Sequence, residues 1–268
     1  MGFSQERLEA TLQTLLEQIS SQMFLQFSLQ VFEQVASTNQ TLWEALDRGA
    51  GEGTVVIALQ QTAGKGQWGR KWVSSKGGLY LSVALAPNLA VEKAAGLTLA
   101  SAWGIAECLR ERGVPVALKW PNDLVVCDRK LGGILTETRV HKGKITQAVV
   151  GVGINWNNPV PPVGINLQSL LAEQTRPAIT CLEMLAALAI KGIDSGYQLL
   201  VHKGITHLLP KYQSLLTNIG QKVVIEGCEG VIIGVSATGE LRVRLNPNSA
   251  IASEISLPPG TISLGYNH

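Results

Sequence analysis

Charge is scarce in this chain: 16% of its 268 residues are Asp, Glu, Lys or Arg, and they net to +2. That balance leaves no broad basic surface to supply the phosphate attraction on which nonspecific nucleic-acid binding depends. Cysteine is scarce too. Cys108, Cys127, Cys181 and Cys228 are widely scattered and form none of the paired spacings of a zinc site or redox dithiol, so they read as reduced residues. The most apolar window, 94–109, is interrupted by Ser101 and Glu107 and falls short of the ~20 residues a membrane-spanning helix requires. The opening MGFSQERLEATLQTLLEQ lacks the basic start and apolar run of a secretory signal. His141, His202, His207 and His268 form no nucleophile–base pattern with a nearby serine or cysteine, and nothing at metal-ligand spacing surrounds them. These absences predict a cytoplasmic protein with no membrane or nucleic-acid partner and no covalent protein nucleophile.

What is present is a large apolar fraction, 46%, enough for one large domain and a smaller one. Leu8, Leu12, Leu15, Leu16 and Ile19 share one face of an expected helix over 5–20. A half-buried strand over 27–35 runs into Ser37-Thr38-Asn39, expected to cap a helix carrying Leu42, Trp43, Ala45 and Leu46. Strands are expected at 54–59, 79–86, 116–119, 124–127, 133–137 and 147–154, with a core helix over 92–112. A second long helix begins at the capping-box pattern Thr180-Cys181-Leu182-Glu183 and runs toward Leu200. The segment 157–166 (NNPVPPVGIN) reads as a surface loop suited to be a lid. After Gly220, β-rich runs at 222–226, 231–235 and 241–245 are separated by glycines, which predicts a separate small barrel. Strands mixed with a few long helices, without regular βαβ repetition, place the larger part in the α+β class.

Chemistry concentrates in a few stretches. Gln60–Trp72 (QQTAGKGQWGRKW) holds three glycines, three cations and two tryptophans. Its backbone N–H groups can surround an anion that Lys65, Arg70 and Lys71 neutralise. It carries neither a Walker A ending nor the dinucleotide-binding glycine fingerprint, and a solvated basic turn is the alternative reading. Lys119-Trp120-Pro121-Asn122-Asp123 ends a strand, and Lys130 follows in KLGGILTE, so strand, turn and strand bring Asp123 and Lys130 to one end of a hairpin. An Asp beside Asn can hold Mg²⁺ against a triphosphate and a lysine can neutralise an anionic substrate, although such a pair is more often a surface ion pair. In Gly151-Val152-Gly153-Ile154-Asn155-Trp156, glycines at a strand end precede an amide within reach of a ligand.

In this order and spacing, GKGQWGRKW, KWPNDL, KLGGILTE and GVGINWN resemble the catalytic domain of biotin protein ligases over roughly residues 30–200, and the small barrel fits that family's tail. The resemblance implies a mixed-sheet, class II synthetase-like catalytic domain over 1–218 and an SH3-like barrel over 219–268. It implies activation of biotin by ATP as biotinyl-5'-AMP, release of pyrophosphate, and transfer to a lysine of a biotin carboxyl carrier protein of acetyl-CoA carboxylase. By the same resemblance, Ser37, Thr38, Asn39 and Gln61 bond the biotin ureido ring, and Lys65, Gly66, Gln67, Lys130, Gly132 and Gly133 complete the biotin site. Lys65, Gln67, Trp68, Gly69, Arg70, Lys71, Trp72, Asn122, Asp123 and Asn155 surround ATP and the adenylate, with Trp72 stacking on adenine. Asp123 is the Mg²⁺ position, and Lys130, Asp123 and Lys65 are the catalytic set. The protein is expected to be a monomer or homodimer.

One loop departs from the family. Where it usually reads Gly-Arg-Gly-Arg-X-Gly, this chain has Gly64-Lys65-Gly66-Gln67-Trp68-Gly69. Lysine keeps charge but loses the bidentate fork, and glutamine keeps only neutral donors. Trp68, a large apolar residue at the loop tip, is expected to cover the adenylate or pack in a dimer interface. The nearest rival reading is a lipoate or octanoate ligase or transferase, which binds a flexible acyl chain that has no use for a polar Ser37-Thr38-Asn39-Gln61 set. A biotin-gene repressor is disfavoured, because only 36 residues precede Ser37 and the one helix there offers a single cation, Arg7. A noncatalytic adaptor would leave Asp123 and Lys130 without purpose.

Overall fold

A computed structural model describes residues 2–17, 25–172, 175, 177–245 and 253–266. In chain order the elements are α1 (Gln5–Glu17), β1 (Ser28–Phe32), α2 (Thr38–Asp47), β2 (Thr54–Ala58), β3 (Leu79–Leu85), β4 (Leu89–Ala90), α3 (Ala94–Arg110), β5 (Ala117–Lys119), β6 (Asp123–Val126), β7 (Arg129–His141) and β8 (Lys144–Ile154). They continue as α4 (Leu167–Leu171), α5 (Leu182–Lys203), α6 (Ile205–Ser214), β9 (Lys222–Ile225), β10 (Cys228–Val235), β11 (Leu241–Leu245) and β12 (Ser253–Leu257). The large sheet runs β1-β2-β3-β8-β7-β6-β5, with β4 added to β8. Only β1 and β2 pair in parallel, so the sheet is mixed and the class is α+β, as expected. The second sheet is antiparallel, in the order β12-β11-β10-β9, consistent with an SH3-like module.

The two faces of the large sheet differ because alternate residues of a strand point to opposite sides. Leu81, Val83, Val150 and Val152 lie on one face and join Leu97, Ile105, Leu188 and Ile193 of α3 and α5 in the main core. On the other face Val56, Ala84 and Val149 pack against Leu42, Ala45 and Leu46 of α2. Beyond α2 that same face carries small residues, with Ser82 opposite Gly151 and Gly133 opposite Gly153. Small residues where a helix no longer covers the sheet leave a hollow, and this hollow is the floor of the site.

Several boundaries differ from expectation. The hairpin of β7 and β8 extends well beyond 133–137 and 147–154, because its outer half, rich in Thr, Arg, His and Lys, shows no apolar alternation. A two-residue turn with positive φ at Lys142 (49°) and Gly143 (75°) closes it, the geometry that suits strand twist. Helix α6 went unread because Pro210 sits inside it, and β12 because only Ile255 and Leu257 are apolar. The capping box at Thr180 does not form: Cys181 is the N-cap, with no side-chain cap bond. Glu183 instead turns to the start of the chain, accepting from Ser4 N at 2.9 Å and Arg7 Nη2 at 2.6 Å, a charge-assisted bond that a cap would not supply. Ser37 does take the N-cap position of α2, again with no side-chain cap bond. Of the apolar stripe on α1, Leu8, Leu12 and Leu15 are buried, whereas Ile19 and the end of the expected helix lie outside the described residues. Helix α5 is long and apolar enough to cross a bilayer, but two thirds of it is buried in this fold, under α3 and α1.

Asp194 of α5 is fully buried, accepting from Gln198 Nε2 at 2.9 Å and from Leu25 N at 3.4 Å. Burial pushes its carboxyl up to about 6, more than the two hydrogen bonds lower it. An acid raised in the folded state favours folding while protonated, so its contribution is lost as pH rises from about 4 to above 6. Relative to Asp194→Asn, the wild-type protein should lose roughly 2–3 kcal/mol of stability between pH 4 and pH 8. Urea midpoints measured at both values test this, and a constant gap would contradict it.

Candidate active site

The hollow opens into a cleft of about 660 Å³, within the size range of small-molecule sites. One end is a polar network centred on the start of α2. Thr38 N donates to Gln61 Oε1 at 2.8 Å, and Gln61 Nε2 donates to Ser74 Oγ at 2.8 Å. The Ser82 hydroxyl lies 2.8 Å from Thr38 Oγ1 and 2.7 Å from Asn39 Oδ1. Asn39 Nδ2 donates to Glu137 Oε2 at 3.1 Å, and Trp43 Nε1 shares that oxygen at 2.9 Å. Thr38 and Asn39 are thus held by buried Ser82 and half-buried Gln61 and Glu137 rather than left to find a ligand unaided. Buried Ser37 also lines the cleft.

The glycines of β8 have a role the sequence did not suggest. A Cβ on Gly151 would overlap the Asn39 amide, and one on Gly153 would overlap the Trp72 indole. Their absence lets both side chains lie directly on the sheet. Trp72 Nε1 is buried without a hydrogen-bond partner, as is Gln67 Oε1.

The loop over the cleft is a narrow hairpin. Gly66 N donates to Arg70 O at 2.7 Å and Trp72 N to Gly64 O at 2.9 Å, with Lys65 bridged to Lys71. At its tip Trp68 takes a left-handed conformation (φ 54°, ψ 40°) and remains 52% exposed. Lys65, Arg70 and Lys71 are exposed at the mouth, where their charge meets an incoming anion.

At the other end, β6 and β7 bring Asp123 and Lys130 together as expected: Lys130 Nζ is 2.6 Å from Asp123 Oδ1. Their side chains are 27% and 15% exposed, so this is a cleft pair rather than a surface one. Gly133 lies beside the pair, where a Cβ would make only ordinary contact, 3.4 Å from Asp123 Oδ1. The Lys130 ammonium is also 5.3 Å from the Trp72 ring. Asn122 and Asn155 line the cleft with amides already engaged. Asn122 Nδ2 donates to Ile134 O at 2.7 Å, while Asn155 Nδ2 donates to Lys130 O at 3.3 Å and its Oδ1 accepts from Asn158 at 2.9 Å. The Pro-rich segment 157–166 is tied to the same lysine, with Lys130 N donating to Val163 O at 2.8 Å and Ile165 N to Lys130 O at 2.9 Å. It forms one wall of the cleft.

All the residues expected from the sequence line the cleft except Gly69 and Gly132. Gly69 is in the loop turn with φ 73°. Gly132 faces away, and a Cβ there would lie 2.6 Å from Gly153 O. None of the described histidines lines the cleft; His268 lies outside the described residues. Sequence reasoning missed Lys119, Ser74, Ser82 and Glu137, and it missed the segment 260–266, which lines the cleft after β12. Lys119 was visible in KWPND, but nothing marked the segment. Burial of Lys119 lowers the proton affinity of its amine, which Asp123 partly restores.

Comparison with known proteins agrees with this geometry. Residues 31–155 match the biotin/lipoate A/B protein ligase family. The bifunctional ligase/repressor BirA of Bacillus subtilis is 37% identical over 125 residues, which span 46% of this chain but only 38% of that protein. A biotin–[acetyl-CoA-carboxylase] ligase of Mycobacterium tuberculosis is 31% identical over 213 residues, 74% of each chain. The solved biotin protein ligase of Aquifex aeolicus in complex with biotin and ATP aligns with a TM-score of 0.67 at 27% identity, covering 85% of this chain and 99% of that one. Sequence, fold and cleft together place this chain in the biotin protein ligase family.

Proposed function

We propose that this protein activates biotin with ATP to biotinyl-5'-AMP and transfers the biotinyl group to a lysine of a biotin carboxyl carrier protein, that of acetyl-CoA carboxylase. The observation that carries this reading is one cleft holding a preorganised polar network at one end and the Asp123–Lys130 pair at the other. Both hydrogens of the Asn39 amide are committed to Glu137 and Leu135, leaving Oδ1 as the acceptor it can offer a ureido N–H. A flexible lipoyl chain would leave that network unanswered.

In the first step the biotin carboxylate forms a bond to the α-phosphorus of ATP as the bond to the β-phosphate oxygen breaks. Two anions must approach, and Lys130, with Lys65 at the mouth, offsets that repulsion. Asp123 is the acid among the described lining residues, and Mg²⁺ typically binds one or two carboxylates together with substrate phosphates. A Mg²⁺ ion carried by ATP would be held there and would neutralise phosphate charge. Trp72, with a free buried N–H, and Asn122 and Asn155 line the nucleotide end. In the second step a neutral lysine amine of the carrier attacks the acyl carbonyl, AMP leaves, and the nitrogen loses a proton. The 64–72 hairpin and the Pro-rich wall exclude competing water.

We place the protein in the cytoplasm, without a role in DNA binding. Intact-mass measurement of a biotin carboxyl carrier domain, after incubation with the protein, ATP and either biotin or lipoate, tests the reading. A mass gain with biotin is expected; a gain with lipoate alone, or no ATP-dependent gain at all, would overturn it.

A further inference from the structure

The segment following β12 crosses the cleft and ends on its charged groups. Gly260, with φ 95°, lies against the indole of Trp68, close enough that a Cβ on it would be 2.6 Å from Trp68 Nε1. The loop tip therefore meets this segment. Thr261 folds back on Pro258 through its N–H and its hydroxyl, at 3.2 and 2.7 Å, while Ile262 and Leu264 pack on the core. The segment then delivers Tyr266 to the phosphate end of the cleft. The Tyr266 hydroxyl donates to Asp123 Oδ2 at 2.5 Å, and its ring lies 3.4 Å from Lys119 Nζ. The Lys119 ammonium also donates to the carbonyl of Gly265.

These contacts use up the groups that a nucleotide needs. Asp123 has Oδ1 on Lys130 and Oδ2 on Tyr266, so a phosphate-bound metal finds both oxygens engaged. Lys119 is buried, with a ring on one side and a carbonyl on another, where a phosphate would otherwise sit. Neither substitute matches a polyanion: a carbonyl and a ring face carry only partial charge, whereas phosphate offers full charge and several acceptors. Among the described residues, nothing comparable covers the Thr38–Asn39–Gln61 end.

We propose that Tyr266 is a built-in competitor at the nucleotide half of the site: its phenol occupies Asp123, its ring covers Lys119, and the phosphates of ATP bind by displacing it. The inference rests on the proposed biotin- and ATP-dependent activity. Binding of ATP is thereby weakened by the cost of moving one side chain, and binding of ligands without phosphates is not.

Calorimetric titration of the full chain with ATP and Mg²⁺, with adenosine and with biotin separates the possibilities. Tyr266→Phe keeps the ring over Lys119 and removes only the bond to Asp123. It should tighten ATP binding about threefold or more, since hydrogen bonds to charged groups are among the stronger ones. Adenosine and biotin affinities should stay at wild-type values. Tyr266→Ala, which also uncovers Lys119, should tighten ATP further. Unchanged or weakened ATP binding by Tyr266→Phe would overturn the assignment. Equal tightening of adenosine would also overturn it, because Tyr266 would then be blocking the cleft rather than competing with phosphate. A wild-type protein that binds neither biotin nor ATP would instead sink the proposed function.

Discussion

Lys130→Met should lower biotin-dependent ATP–pyrophosphate exchange by about 10²–10³-fold, the usual effect of removing one charge-stabilising donor from an enclosed site. The ammonium is placed for this by its neighbours rather than by its own rotamer freedom. Asp123 holds its tip, and Val163 and Ile165 hold its backbone on the side away from β6. The same change should cost folding more modestly. With 27% and 15% exposure the pair lies between a surface pair, worth about 1 kcal/mol or less, and a buried one, whose breaking costs about 3–5 kcal/mol, so a loss of roughly 1–3 kcal/mol is expected. Lys130→Arg should recover part of the rate, because it keeps the charge while its bulkier fork crowds the Trp72 ring. A loss of exchange below tenfold, or a fall in melting temperature large enough to account for it, would remove Lys130 from the chemistry.

Gly104→Val should be the most damaging single change to the fold. Helices α3 and α5 cross with their backbones nearly touching: a Cβ on Gly104 would overlap the carbonyl of Gly192, and one on Gly196 the carbonyl of Ala100. Both obstacles are backbone, so no side-chain rotation relieves the clash, and the helices must separate along the whole Leu97–Leu109 face. Overpacking of this kind costs on the order of 3 kcal/mol, or about 6–12 °C in melting temperature for a chain of this size. Calorimetric melting measures it directly. Gly104→Ala serves as the comparison, since a lone Cβ already overlaps the Gly192 carbonyl; a loss with valine and none with alanine would argue for the poor helix propensity of a β-branched residue instead of crowding.

Much of the site was legible because its chemistry demands residue types that make poor core. Asp123 was read as a strand end, whereas it opens β6; the β6–β7 hairpin sets it opposite Gly133 and Lys130 opposite Val125, and the long lysine side chain closes the diagonal to 2.6 Å. Ser37, Thr38, Asn39 and Gln61 entered the site only through the family resemblance, since Ser37-Thr38-Asn39 read on their own as a helix cap, and their organisers did not enter at all. Ser82 and Glu137 look in the sequence like the polar half of an alternating strand, and only the pairing of Ser82 with Gly151 reveals that this half faces the cleft. Gly151 and Gly153 were read only as a strand end preceding the Asn155 amide, whereas they serve by making room for Asn39 and Trp72. Tyr266 was invisible for a different reason: it reaches Asp123 across 143 positions of chain, and no periodic pattern encodes so distant a meeting. Among the elements, strong apolar periodicity gave α3 and α5 to within about two residues at their starts, while Pro210 hid α6.

The orientation of Asn39 bears on ligand engineering. Its Oδ1 faces the Ser82 hydroxyl and its Nδ2 faces the Glu137 carboxylate. Turning the amide over would set oxygen against carboxylate, so the group cannot adapt by flipping as an unanchored asparagine does. If biotin binds as proposed, analogues whose ring presents an acceptor where the ureido group presents N–H would meet a wall of matching polarity. Enlarging the repertoire of tags this scaffold accepts therefore means recoding Asn39, Ser82 and Glu137 together, with Trp43 following because it shares the Glu137 oxygen; altering Asn39 alone strands its two neighbours.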